Sequence, residues 1–182
     1  MMHSLNRLGD TLNRVGEGLL PFSARLVFLG ALFMYYWNSG LTKISDGVFG
    51  FLSPSLGAYA QIFPKKMEAA GFDVSQMSGF DTLVVLAGTW GEFILPVLIV
   101  LGLLTRLAAL GMIVFVVMQT LTDAFGHGAE LGAWFDRFSD AVVDQRAFWI
   151  LALLVLVMKG GGWLSLDRLL FSGRSGDRAD AL

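Results

Sequence analysis

The sequence predicts an all-α integral membrane protein, a four-helix bundle preceded by an N-terminal amphipathic helix. Three observations lead there. Of 182 residues, 55% are hydrophobic and only 15% are charged, against about 25% charge in an ordinary soluble domain. Residues 81–106 are mainly apolar, with Glu92 as the only carboxylate between the two ends. At about 1.5 Å per residue they are long enough to cross a hydrocarbon core of roughly 30 Å. The third is length: the chain has room for four spans and short connections, without a separate soluble catalytic domain. The net charge of -2 gives no footprint for nucleic acid. The lack of cysteine excludes structural disulfides, thiolate-held clusters and cysteine nucleophiles.

Residues 1–21 form the first unit. Leu5, Leu8, Leu12, Val15 and Leu19 recur at three and four among Arg7, Asp10, Arg14 and Glu17, the pattern of a helix lying at a membrane surface. Pro21 is expected to break it. The segment has no apolar run behind a basic end, so it does not read as a secretory signal.

Residues 22–170 form the membrane domain, with spans expected at about 22–45, 81–105, 107–126 and 146–166. In the first span Arg25 is expected to snorkel to one interface and Lys43 to the other, with Tyr35, Tyr36 and Trp37 near the second. Residues 46–80 hold Pro54, Pro64 and several charges, too polar to span. Phe49, Phe51, Leu52, Tyr59 and Phe63 predict that this linker lies against the membrane or caps the bundle. Thr105 and Arg106 turn the chain into the third span, which ends at Gly126. Residues 127–146 are acidic and loop-like, with His127, Glu130, Asp136, Asp140 and Asp144. The fourth apolar run has only twelve residues before Lys159 and three glycines, so it spans only with stretched ends or by continuing toward Leu166. Residues 171–182 are a tail.

Charge sets the expected orientation. The side carrying both termini collects seven arginines against five acids, whereas the opposite side has four basic residues and nine acids. Positive charge stays inside, so both termini are expected in the cytoplasm. Arg25 to Asn38 is 13 residues, Arg106 back to Glu92 is 14 and Arg106 on to Gln119 is 13. At about 1.5 Å per residue, all three polar groups stand ~20 Å above the inner boundary. Lys43 and Asp123 lie a turn further out, and His127 a turn beyond. A carboxylate at that depth is costly and needs a partner or a proton, which makes Glu92 the leading functional residue. Gly88, Glu92, Leu95, Ile99 and Gly102 share a stripe expected to face the bundle.

Three short motifs complete the reading: Gly40-Leu41-Thr42-Lys43, then Gly102-Leu103-Leu104-Thr105-Arg106, then Gly160-Gly161-Gly162-Trp163-Leu164-Ser165-Leu166-Asp167. Their order and spacing, from Arg25 to Leu170, resemble the DoxX family. That resemblance implies a four-helix bacterial inner-membrane protein, sometimes associated with thiosulfate:quinone oxidoreductase or other membrane redox complexes.

Two function classes follow. In the first, the chain is the membrane subunit of a quinone-linked oxidoreductase. Glu92 exchanges protons as the catalytic residue, and Trp37, Asn38, Lys43, Trp90 and Gln119 form the quinone site, with Phe115 on an apolar side. Without a haem ligand pair, flavin motif or thiol, electrons must come from a redox partner protein or from a small reductant such as thiosulfate. In the second, the chain is a non-catalytic assembly or small-solute permeation protein, and a Glu92–Lys43 pair fixes packing or lines a polar path. Arg106 reads as a topology anchor, His127 as a loop histidine, and the five tryptophans mostly as an interfacial belt. Residues 160–167 lack phosphate-loop spacing, and Ser165 with Asp167 reads as the start of a short helix.

Overall fold

In the computed structural model, which describes residues 2–47, 49–132 and 142–171, long helices dominate. They run in the order α1 (Met2–Phe28), α2 (Met34–Leu41), α3 (Leu56–Ile62), α4 (Pro64–Ala69), α5 (Gly79–Leu101), α6 (Thr105–Leu121), α7 (Val142–Lys159) and α8 (Leu166–Phe171). A π-helical turn, Leu29–Phe33, joins α1 to α2, and a second, Thr122–Gly126, extends α6. Among the described residues the only β pairing is an isolated bridge between Ile44 and Pro54. Among the described residues three helical stretches are long and apolar enough to cross a membrane: Asn6–Leu41, Gly79–Leu101 and Thr105–Gly126. Helix α7 packs against both α1 and α6. The tail, Trp134 and the acidic residues Asp136 and Asp140 lie outside the described residues.

The expected break at Pro21 does not occur. Helix α1 runs through it, so the amphipathic segment and the first span are one rod. Proline removes the N–H that would bond the Glu17 carbonyl. Its ring is instead fully buried, against the Gly162 turn, where an added Cβ would lie 2.6 Å from it. Tertiary packing has overridden a local breaker.

The core is a column of apolar side chains between helices. Phe28, Leu32 and Tyr36 from the first rod meet Ile99 of α5, Met112 and Val116 of α6, and Leu153 and Leu156 of α7. On α5 the buried positions are Asp81, Val85, Thr89, Glu92, Pro96 and Ile99, a spacing of three and four that gives one inward stripe. The outer faces remain apolar: Val27, Leu83, Leu107, Val114, Phe148 and Leu151 are all largely exposed, which suits contact with lipid rather than water.

Residues 46–80 cap one end. Ala58 and Tyr59 of α3 and Met67 of α4 bury themselves against Val85 of α5, while the Tyr59 hydroxyl donates to Thr82 Oγ1 at 2.9 Å. Ser78 and Asp81 form a capping box at the start of α5, satisfying amides that have no partner inside the helix. Lys66 pairs with the same Asp81 carboxylate. The linker is thus a folded lid on the end of the bundle that holds Lys43.

At the other end α5 stops at Gly102, whose φ of +67° closes the helix in the left-handed region. The bonds Leu103 N to Leu98 O and Gly102 N to Ile99 O complete a Schellman turn. Helix α7 stops at Lys159, ahead of Gly160 at φ +79°, and does not continue through the glycines.

Candidate functional site

Two buried charge clusters lie toward the capped end. The first joins α2 to α5. Tyr36, Ser39, Gly40 and Lys43 are spaced so that one face of the first rod carries all four. Gly40 lets α5 come close: a Cβ there would stand 2.6 Å from the Phe93 ring. The Lys43 ammonium, only 3% exposed as a residue, donates to Glu92 Oε1 at 2.9 Å and Oε2 at 2.8 Å. It also donates to Ser39 Oγ at 2.7 Å, and Ser39 Oγ donates to Glu92 Oε1 at 3.2 Å. Each charge has its counter-charge and hydrogen bonds, the condition under which a buried pair is tolerated. Lys43 therefore does not snorkel; it turns inward.

The second cluster joins α2, α6 and α7. Gln119 Nε2 donates to the Tyr35 hydroxyl at 2.9 Å, and the Tyr36 hydroxyl donates to Gln119 Oε1 at 3.3 Å. One turn further along, the guanidinium of Arg146 donates to Thr120 Oγ1 at 2.9 Å and pairs with Asp123. Trp149 is the shared wall: its ring lies 5.5 Å from that of Tyr35 and 5.8 Å from the Arg146 guanidinium. Tyr36, fully buried, lies within electrostatic reach of Glu92, Asp123 and Arg146, and so stands between the two clusters.

The single layer of Glu92, Gln119 and Asn38 thus divides. Glu92 is bonded to Lys43 and Ser39, Gln119 to the two tyrosines, and Asn38 is exposed on the outer face of α2. The cause is rotation about the helix axis. Residue counting gives depth along a helix but not azimuth, and Asn38 lies about 100° from Ser39. Trp37 stacks on Phe33 and meets Phe93 edge-on. Trp90 points outward and donates to the Phe51 carbonyl at 2.8 Å, pinning the lid. Sequence reasoning does not name Ser39, Thr120 or Arg146 as site residues, and gives Tyr35 and Tyr36 only as interfacial aromatics. The sequence puts Arg146 at the boundary between the 127–146 loop and the fourth span; α7 begins at Val142 and carries it inward. Tyr35 stands one turn from Asn38 on the same helix face, the signal that was available.

His127 Nε2 lies 2.9 Å from the Gln61 carbonyl, and no group of three potential metal ligands occurs among the described residues.

The opposite end is organised around Arg25, which is buried rather than snorkelling. Its Nε donates to Ile99 O at 3.1 Å, a carbonyl that also accepts Gly102 N, and its Nη2 donates to Val100 O, both in the last turn of α5. Its Nη1 donates to the carbonyls of Gly161, Trp163 and Leu164 at 3.0 to 3.3 Å. Asp167 answers from the other side, accepting Leu104 N at 2.7 Å and Thr105 N at 2.8 Å at the start of α6. Two of the three sequence motifs therefore meet at this end, and the third, with Lys43, meets Glu92 at the other.

A family model, DoxX, matches residues 21–124. That stretch contains Arg25, Lys43, Glu92, Gln119 and the 102–106 motif, while Arg146 and the glycine motif lie beyond it. No curated protein and no solved structure matches the chain.

Proposed function

Since the chain belongs to the DoxX family of membrane proteins, we propose that it is the membrane subunit of a quinone-linked redox complex, seated in a bacterial inner membrane. In this reading α7 is a fourth span despite its charged ends, and both termini are cytoplasmic, as the arginine excess near them suggests.

One observation carries the quinone assignment. The Tyr35 hydroxyl accepts from Gln119 but donates to no partner among the described residues, and the side chain is 44% exposed in an apolar span. A quinone carbonyl arriving from the bilayer is an acceptor that this O–H can meet. Asn38 lies one turn along the same outward face, and Trp149 supplies an aromatic side. A flat ring with two carbonyls fits a surface of that composition.

Reduction of the quinone requires two electrons and two protons. The electrons come from a partner protein or a small reductant such as thiosulfate; the chain's residues orient the head group and handle protons. Glu92 and Lys43 hold the buried ionisable reserve behind Tyr36. The tight closure of that pair also favours a second reading, in which it is an assembly element only, because both carboxylate oxygens are already bonded to the lysine.

The test is quinone binding and turnover by the purified protein with its copurifying partner. Tyr35→Phe is expected to weaken quinone binding by about tenfold, the scale of one lost hydrogen bond, with unchanged thermal stability; Gln119→Leu should weaken it similarly and also cost about 1–3 kcal/mol of stability, because it strands the buried Tyr36 hydroxyl. Lys43→Met with Glu92→Gln keeps the interior neutral; if Glu92 exchanges protons, this double variant binds quinone but turns over about 10²-fold more slowly. Normal turnover there assigns the pair to assembly. Normal binding in both tyrosine-site variants removes the quinone from this edge.

A further inference from the structure

The Arg25 end holds a cleft of about 640 Å³ between the start of α6, the end of α7 and the N-terminal rod. Its walls carry four cations, Arg14, Arg106, Lys159 and Arg168, and two carboxylates, Glu17 and Asp167. Asp167 is already occupied by the amides of Leu104 and Thr105. The three ion pairs among the described residues all lie elsewhere, so none of the four cations is within salt-bridge distance of a described carboxylate.

A second observation is independent of charge. Thr105, on the same wall, is completely buried, and its Oγ1 has no hydrogen-bond partner. A buried hydroxyl without a partner costs about 1–3 kcal/mol, which a ligand oxygen would relieve. Glycines let this wall pack closely: a Cβ on Gly161 would stand 2.5 Å from Ser165 Cβ and 2.8 Å from Thr105 Oγ1, and one on Gly160 would stand 3.5 Å from Arg106 Nε.

We propose that this cleft binds a phosphate-bearing anion, with Thr105 as the specific hydroxyl donor and Arg14, Arg106, Lys159 and Arg168 as the charge partners. The cleft lies at the ends of α6 and α7, beside exposed Leu104, Leu107 and Leu169. Basic pockets between helices at that depth suit phospholipid head groups, and soluble phosphate presents the same oxygens. The site is separate from the Tyr35 edge and does not depend on the quinone reading.

The experiment uses the full-length protein in detergent. Retention of phosphatidylglycerol against phosphatidylcholine is measured by native mass spectrometry, and thermal unfolding is followed with inorganic phosphate against chloride at equal ionic strength. Wild type is expected to retain phosphatidylglycerol selectively. Lys159→Gln with Arg168→Gln, both exposed positions, should lower that retention about 30-fold, at roughly fivefold per basic side chain. Thr105→Val, which fills the same volume without a hydroxyl, should lower it several-fold while leaving the protein folded. Loss of lipid retention in the variants assigns the site to a lipid head group. Stabilisation by phosphate that is present in wild type and absent in both variants assigns it to a soluble phosphate. No selectivity over phosphatidylcholine together with no phosphate effect, or equal binding by wild type and both variants, overturns the proposal.

Discussion

The two ends of the bundle each bury a cation, and they neutralise it differently. At the capped end, Lys43 meets a side-chain carboxylate, Glu92, with Ser39 bridging the two. At the other end, Arg25 meets five main-chain carbonyls, from Ile99, Val100, Gly161, Trp163 and Leu164. A point-charge ammonium suits one carboxylate, and a planar fork with five donors suits an array of carbonyls. The difference decides how each end responds to change. A pair of side chains can be removed together; an arginine held by backbone has no partner to delete.

The largest effect is expected where one member of the side-chain pair is lost. Lys43→Met should destabilise the protein by about 3–5 kcal/mol by leaving Glu92 buried and unpaired, and adding Glu92→Gln should restore much of the loss. Unfolding of the single and double variants in detergent checks this, and additive losses would show that the two residues do not interact. Arg25→Met is expected to cost roughly 1.5–3 kcal/mol, the range for hydrogen bonds to a charged group. Here no second substitution should help. If Asp167→Asn rescued Arg25→Met, Arg25 would have to be redescribed as an ion-pair partner, and the contrast between the ends would fall. The smallest effect belongs to Asp167→Ala, which uncovers the amides of Leu104 and Thr105 at the start of α6. A cost of about 1 kcal/mol is expected, the usual value of a lost N-terminal cap. A change near zero in the thermal midpoint would mean that those amides find other acceptors.

The sequence alone determined the class of this molecule. Long apolar runs cross a membrane because a helix satisfies its own backbone, so length and hydropathy are strong signals; of the four spans they marked, the first three fall on helices long and apolar enough to cross, while the fourth, α7, is not among those stretches. Glu92 was legible for the same reason, as a carboxylate that could not be left without a partner. Its partner could be named only as a possibility, because depth was countable and azimuth was not. Tertiary structure decided that Ser39 and Lys43 turn toward Glu92 while Asn38 turns away, that Gln119 joins Tyr35 and Tyr36, and that Arg146 enters from α7 to hold Asp123. It also decided that α1 passes through Pro21 and that Arg25 is buried, since both depend on the 160–167 turn, more than 130 residues away in the chain. Such contacts arise from which helix faces meet. The rotation of each helix is set by its neighbours' side chains, information that no single stretch of sequence contains.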